Sequence, residues 1–269
     1  ALKHTGRDRI LAIEHGFHGR SAAAGAVTWG AAKTWYAFPR TPFDVAFIGR
    51  NDSKAAREMI DGNTAAVIVE LVQGMAGAYD LEGEFVETLA GRCTETGALL
   101  IVDEVQSGMG RSGYPCATDA YQIRPDLLTV AKSLGAGFPC GAVLMTNESA
   151  NILGSGDLGT TFGGGPLACA LIETVIDEII ENDLMVNVRV VSAALVDALP
   201  AGPVESAQGM GFLMGLRCSA PANDVRDGLL ERGILVGTSA DPAVIRLLPP
   251  LVLERRYIEE LIDALTDMG

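Results

Sequence analysis

The chain has 269 residues, with 20 Lys+Arg against 34 Asp+Glu and a formal net charge of −14, so it lacks the surplus cations of a phosphate-backbone binder, which argues against nucleic acid as a partner. The 48% hydrophobic and 20% charged fractions fit a chain that buries a core, and the length allows one big domain or one domain plus a smaller one. Five scattered cysteines without a CxxC spacing suggest neither a disulfide framework nor a zinc site, and no run reaches the ~18–20 apolar residues of a membrane span. A reduced, cytoplasmic setting is therefore expected. The first residues, Ala1 to Arg7, show no signal-peptide pattern and no initiator Met, so the chain is expected to start partway into something longer.

Along the first two thirds, short apolar runs alternate with amphipathic stretches. Ile10–Ile13, Val45–Ile48, Ala65–Leu71, Leu99–Val105, Leu127–Ala131 and Ala142–Met145 read as strands. Most lack polar/apolar alternation, which predicts strands covered on both faces, as in a parallel sheet. Between them, Ser53–Asp61 and Gly83–Thr96 read as helices, the latter with Phe85, Leu89 and Cys93 on one face. From Pro166 to about Leu199 the pattern predicts one long helix, ended by Pro200. A glycine-bearing strand pattern over Val204–Cys218, a helix over Asn223–Arg232, short strands around Val236 and Ile245, and a helix over Glu254–Asp267 follow. The alternation predicts an α/β large domain with a mostly parallel sheet over residues 1–185, and a smaller α+β domain over 186–269.

Ligands of doubly wound sheets lie beyond the carboxyl ends of strands, and three such places stand out. The run Leu99-Leu100-Ile101-Val102 leads into Asp103-Glu104-Val105-Gln106. These acids could cap a helix or sit in a solvated loop, or hold a carboxylate against a cation. With three histidines in the chain and no second Asp cluster nearby, a metal is poorly supported. The run Leu127–Ala131 leads into Lys132 and then small residues. Such a lysine could snorkel to solvent, or be desolvated and serve as an amine nucleophile. Gly159-Thr160-Thr161-Phe162-Gly163-Gly164-Gly165-Pro166 opens the long helix, as a flexible linker or as a phosphate cradle. Together the acid, the lysine and the hydroxyl-bearing loop match pyridoxal phosphate, which needs a partner for its ring nitrogen, an amine for its aldehyde and donors for its phosphate.

These segments, with Gly16-Phe17-His18-Gly19-Arg20, Val69-Glu70 followed by Gln73-Gly74, and Arg246-Leu247-Leu248-Pro249-Pro250-Leu251, resemble the class III (ornithine/acetylornithine-type) aminotransferases, in the family's order and over essentially the whole chain. The resemblance implies the fold-type I architecture and amino transfer from the ω-amino group of N-acetylornithine, or a similar basic amino-acid derivative, to a 2-oxo acid such as 2-oxoglutarate, within arginine biosynthesis. It makes Lys132 the Schiff-base lysine and proton carrier, and Asp103 the partner of the ring nitrogen. Phe17 and Val105 would sandwich the ring and Gln106 would meet its hydroxyl, with His18 and Glu70 also among the cofactor-binding residues. Thr160 and Thr161 would contribute to phosphate binding, Thr161 by reaching the neighbouring subunit of a homodimer. Arg20 would hold a substrate carboxylate through a bidentate pairing, and Arg246 would bind the acceptor's α-carboxylate. Arg111, between glycines, reads as a brace for its loop.

Two departures from the family pattern stand out. Met75 occupies the place of a second glutamate that pairs with the acceptor-site arginine, so Arg246 is expected to be either exposed or differently partnered. Ala1–Thr5 resembles the end of the helix that follows the family's other phosphate-binding loop, so the cofactor phosphate would be expected to lack that loop's main-chain donors. The alternatives are an inactive remnant that serves as a binding or structural protein, and another pyridoxal phosphate enzyme of the same fold, an aminomutase or decarboxylase.

Overall fold

The computed structural model describes residues 1–269. Twelve strands form: β1 (Arg9–Ile13), β2 (Asp44–Ile48), β3 (Thr64–Val69), β4 (Val72–Gln73), β5 (Tyr79–Asp80), β6 (Leu99–Asp103), β7 (Leu127–Val130), β8 (Ala142–Met145), β9 (Val204–Met210), β10 (Leu213–Cys218), β11 (Gly237–Thr238) and β12 (Val244–Leu247). The chain divides into two compact units.

The first unit comprises residues 1–71, 81–105 and 118–175. Its six strands pair in the order β2-β1-β3-β6-β7-β8, all parallel except β8, which runs antiparallel to β7. The apolar runs of β1, β3 and β6 are buried along nearly their whole length, as continuous hydrophobic patterns require. The same expectation fails for β8. This edge strand has β7 as its single neighbour in the sheet, and Val143 and Leu144 are 54% and 55% exposed. The helix Gly83–Thr96 buries Phe85, Val86, Leu89 and Cys93 and packs against β3 and β6. It stops at Gly97, whose φ of +70° a residue without Cβ adopts at no steric cost. The helix expected over Ser53–Asp61 ends at Met59. Its first turn is capped by the Asp52 carboxylate, which accepts from Ala55 N at 2.8 Å.

The second unit comprises residues 72–80, 106–117 and 176–269. It holds the hairpin β4–β5 and an antiparallel sheet in the order β11-β12-β10-β9. The helices Leu184–Asp197, Ala222–Glu231 and Arg256–Thr266 send Val188, Val191, Leu195, Val225, Leu229, Ile258, Leu261 and Leu265 into one core with Phe212, Leu216 and Ile245.

Two expectations are corrected here. The long helix from Pro166 is two helices, Pro166–Glu181 and Leu184–Asp197, because Asp183 turns left-handed at φ +49°. Asp tolerates this conformation better than most residues, and the apolar periodicity runs on through the break. The strand over Val204–Cys218 is a hairpin, with Gly211 at φ +56° between β9 and β10. On β10, a Cβ at Gly215 would stand 1.9 Å from the Gly77 carbonyl oxygen, a backbone atom that cannot swing aside. Gly215→Ala is expected to destabilise the chain by about 1–3 kcal/mol or more, measured as a lowered urea midpoint with an unchanged m-value.

Candidate active site

The first unit's sheet brings Asp103 to the carboxyl end of β6, 6% exposed. Its Oδ2 accepts from His18 Nδ1 at 2.8 Å. Its Oδ1 accepts from Val105 N at 3.0 Å and from Thr129 Oγ1 at 3.2 Å. Thr129 is the cross-strand partner of Asp103 in the β6–β7 pairing, so the hydroxyl is supplied by sheet register. Burial pushes the Asp103 carboxyl up. The hydrogen bond and charge of His18, with the Val105 N–H and the Thr129 hydroxyl, outweigh it and hold the group below its ordinary value. A carboxylate only accepts, so the proton of the pair sits on His18 Nδ1.

His18 is fixed from its backbone as well, its N–H donating to Thr28 Oγ1 at 2.9 Å. Its side chain is 1% exposed, and Nε2 is buried with no hydrogen-bond partner. A Cβ at Gly16 would come within 3.0 Å of that nitrogen, so the imidazole fits against a backbone without a side chain.

Glu70 follows the end of β3 and is 3% exposed. It accepts from Phe17 N at 2.8 Å, which ties the Phe17–His18 turn to the sheet. Burial raises its carboxyl to about 7, and the negative charge of Asp103 pushes the same way. His18, the Phe17 N–H and Lys132 oppose it. Glu70, His18, Asp103 and Lys132 are thus one electrostatic cluster.

Lys132 follows β7 after one residue and opens a short 3₁₀ turn, Lys132–Gly135. Its φ is +48°, a left-handed conformation that costs a non-glycine residue about 1–3 kcal/mol and that clusters at functional sites. Of the two readings of Lys132, the structure takes the solvent-exposed one. A lysine past the end of the sheet lies where the covering helices no longer exclude water.

Phe17 and Val105 are half-buried. Arg20 is exposed, with its guanidinium over the Trp35 ring. Thr160 and Thr161 are exposed in the loop before Pro166. Gln106 and Arg246 fall in the second unit. There the Gln106 side chain lies against Gly74, where a Cβ would come within 2.6 Å of its Oε1. Arg246, on β12, donates from Nε to Thr238 O at 2.7 Å and from Nη1 to Gly74 O at 3.1 Å, with Met75 Sδ at 3.6 Å. Of the two outcomes expected from Met75, Arg246 takes the second, partnered by carbonyls and a thioether. Arg111 braces its loop, donating to Phe212 O and Pro249 O.

Thr28 and Thr129 were not legible as site residues. Thr129 interrupts an apolar strand, which is a weak signal, and its distance of 26 residues from Asp103 gives no local pattern. Thr28 carried no signal.

Residues 1–268 match the aminotransferase class-III family. The chain belongs to that family. It is 36% identical over 265 residues to the acetylornithine aminotransferase of Methanocaldococcus jannaschii, covering 96% of this chain and 66% of that protein. It is 39% identical over 258 residues to the acetylornithine aminotransferase of Brucella melitensis, covering 93% of this chain and 63% of that one. Among solved structures, an ornithine aminotransferase from Toxoplasma gondii, described with partial occupancy of pyridoxal phosphate at its active site, superposes with a TM-score of 0.88 at 28% identity. That match covers 97% of this chain and 64% of the other. The chain thus spans about two thirds of the length of the curated relatives it matches. Its α/β sheet has the fold-type I architecture of these aminotransferases.

Glu70 makes stability depend on pH. Its folded-state value, about 7 against an ordinary 4.5, means that the native state keeps a proton the unfolded state has lost, so stability falls as pH rises through that window and is flat above it. The fall is expected to be a few kcal/mol at about 1.4 kcal/mol per pH unit. Glu70→Gln holds no such proton. Urea unfolding of both proteins between about pH 5 and about pH 8 should show the variant gaining on the parent as pH rises.

Proposed function

We propose that the protein is a pyridoxal-phosphate-dependent aminotransferase. It moves an amino group from N-acetylornithine, or a similar basic amino-acid derivative, to a 2-oxo acid such as 2-oxoglutarate. The observation that carries this is a buried, ionised Asp103 and the amine of Lys132 at the carboxyl ends of neighbouring parallel strands. The substrate class rests on the acetylornithine in the names of the relatives.

The donor set fits the cofactor. A carboxylate held below its ordinary value in a buried position suits a protonated ring nitrogen, and half-buried Phe17 and Val105 can flank a flat ring. When bound, pyridoxal phosphate supplies the carbonyl that takes up an amino group and a ring that stores the electrons of the broken C–H bond. Asp103 would keep the proton on the ring nitrogen. His18 Nδ1–H and Thr129 Oγ1–H orient that carboxylate and keep it ionised. Glu70 anchors the turn that carries Phe17 and His18. Lys132 Nζ would hold the cofactor through its carbonyl carbon and, when free, would serve as the base and acid that carries the substrate proton. The roles of Gln106, Thr160, Thr161, Arg20 and Arg246 in holding the ring hydroxyl, the phosphate and the substrate carboxylates belong to the same proposal, on the strength of their motifs. So do a homodimeric assembly and a cytoplasmic location. No helix is long and apolar enough to cross a membrane.

Titration of the chain with pyridoxal phosphate, followed by borohydride reduction and peptide mapping, tests the reading. A visible absorbance band with the reduced label on Lys132 is expected. Lys132→Ala should lose both, and Asp103→Asn should weaken binding by about 10- to 100-fold, the worth of one charge-assisted contact. Label spread over surface lysines, or a band that survives Lys132→Ala, refutes the assignment.

A further inference from the structure

Arg20 precedes the short helix Ala22–Ala26, and its guanidinium carbon lies 4.9 Å from the centre of the Trp35 ring. The guanidinium makes no hydrogen bond or ion pair within the chain. Trp35 is half-buried and held in place by its surroundings. The Trp35 and Tyr36 N–H groups both donate to Ala31 O, at 3.0 and 2.8 Å. The Tyr36 hydroxyl donates to Ala22 O at 2.8 Å. At Gly25 a Cβ would come within 2.8 Å of the Tyr36 ring and 3.2 Å of the Trp35 ring. Both aromatics therefore pack directly on the backbone of the helix that follows Arg20.

The five guanidinium donors lie in the plane of the group, so stacking engages its face and leaves its edge for a carboxylate. A stacked arginine has also given up rotamer freedom that an unrestrained one loses only on binding. We propose that Trp35 is a positioning residue, which holds the Arg20 guanidinium by its face so that its edge meets a substrate carboxylate. This rests on the reading of Arg20 as a carboxylate anchor. It adds the residue that pre-orders the anchor, which the family motif does not contain.

The chain has two tryptophans, so Trp29→Phe leaves Trp35 as its sole indole fluorophore. In that background Arg20→Ala should change the Trp35 emission, and an unchanged spectrum overturns the stack. Calorimetric titration with 2-oxoglutarate tests its use. Trp35→Leu, which keeps apolar bulk without a π-face, should raise Kd by about two- to fivefold, the worth of an exposed cation–π contact, while Trp35→Phe stays close to the parent. Arg20→Ala should lose most of the binding. If Arg20→Ala weakens binding and Trp35→Leu does not, the positioning role is wrong and the anchor reading stands. If Arg20→Ala leaves Kd unchanged, or the parent chain does not bind 2-oxoglutarate, the anchor reading fails and the positioning role fails with it.

Discussion

A carboxylate taken out of water must find its solvation again inside the protein, and Asp103, at 6% exposure, does so from three elements. His18 Nδ1 comes from the turn after β1, Thr129 Oγ1 from the adjacent strand β7, and the Val105 N–H from its own chain just beyond β6. An unpaired buried charge costs several kcal/mol and would instead protonate. The three donors keep Asp103 ionised, and much of the surrounding geometry follows from their having to be there. Gly16 has no side chain because His18 Nε2 occupies that space. Thr28 holds the His18 backbone, and Glu70 holds the Phe17 backbone one residue earlier.

The two carboxyls of the cluster are pushed in opposite directions by their surroundings. Asp103 receives an imidazole and a hydroxyl and stays below its ordinary value. Glu70 receives a main-chain N–H, and burial together with the charge of Asp103 raises it to about 7. Two acids of like type therefore do different work near neutral pH, one as a fixed anion and the other as a group that can hold a proton. Lys132 adds the cation, on a backbone held at φ +48°. The local strain is maintained by β7 before it and by the buried Leu134 and Gly135 after it.

Much of the architecture could be read from the amino-acid order. All six apolar runs became the strands of one sheet, and the face predicted for Gly83–Thr96 is the buried one. The places where the reading failed have two causes. The break at Asp183 and the turn at Gly211 are single left-handed residues inside continuous hydrophobic patterns, and periodicity does not register one dihedral angle. The exposure of Val143 and Leu144 depends on β8 being the last strand in the sheet order, which composition cannot reveal.

The amino-acid sequence by itself determined the chemistry available: an acid, an amine and a hydroxyl-bearing glycine loop, each following or preceding a regular element, in the order shared by the class III aminotransferases. Strand ends are set by local hydrophobic runs, so the positions of Asp103 and Lys132 at strand ends could be read from short stretches. Only the tertiary structure decided which groups answer those residues. Thr129 reaches Asp103 through β6–β7 register, His18 through a span of 85 residues, and Trp35 reaches Arg20 because Gly25 lets two rings lie on one helix backbone. Partners of this kind are chosen by packing between segments distant in the chain, where no short-range spacing carries the information.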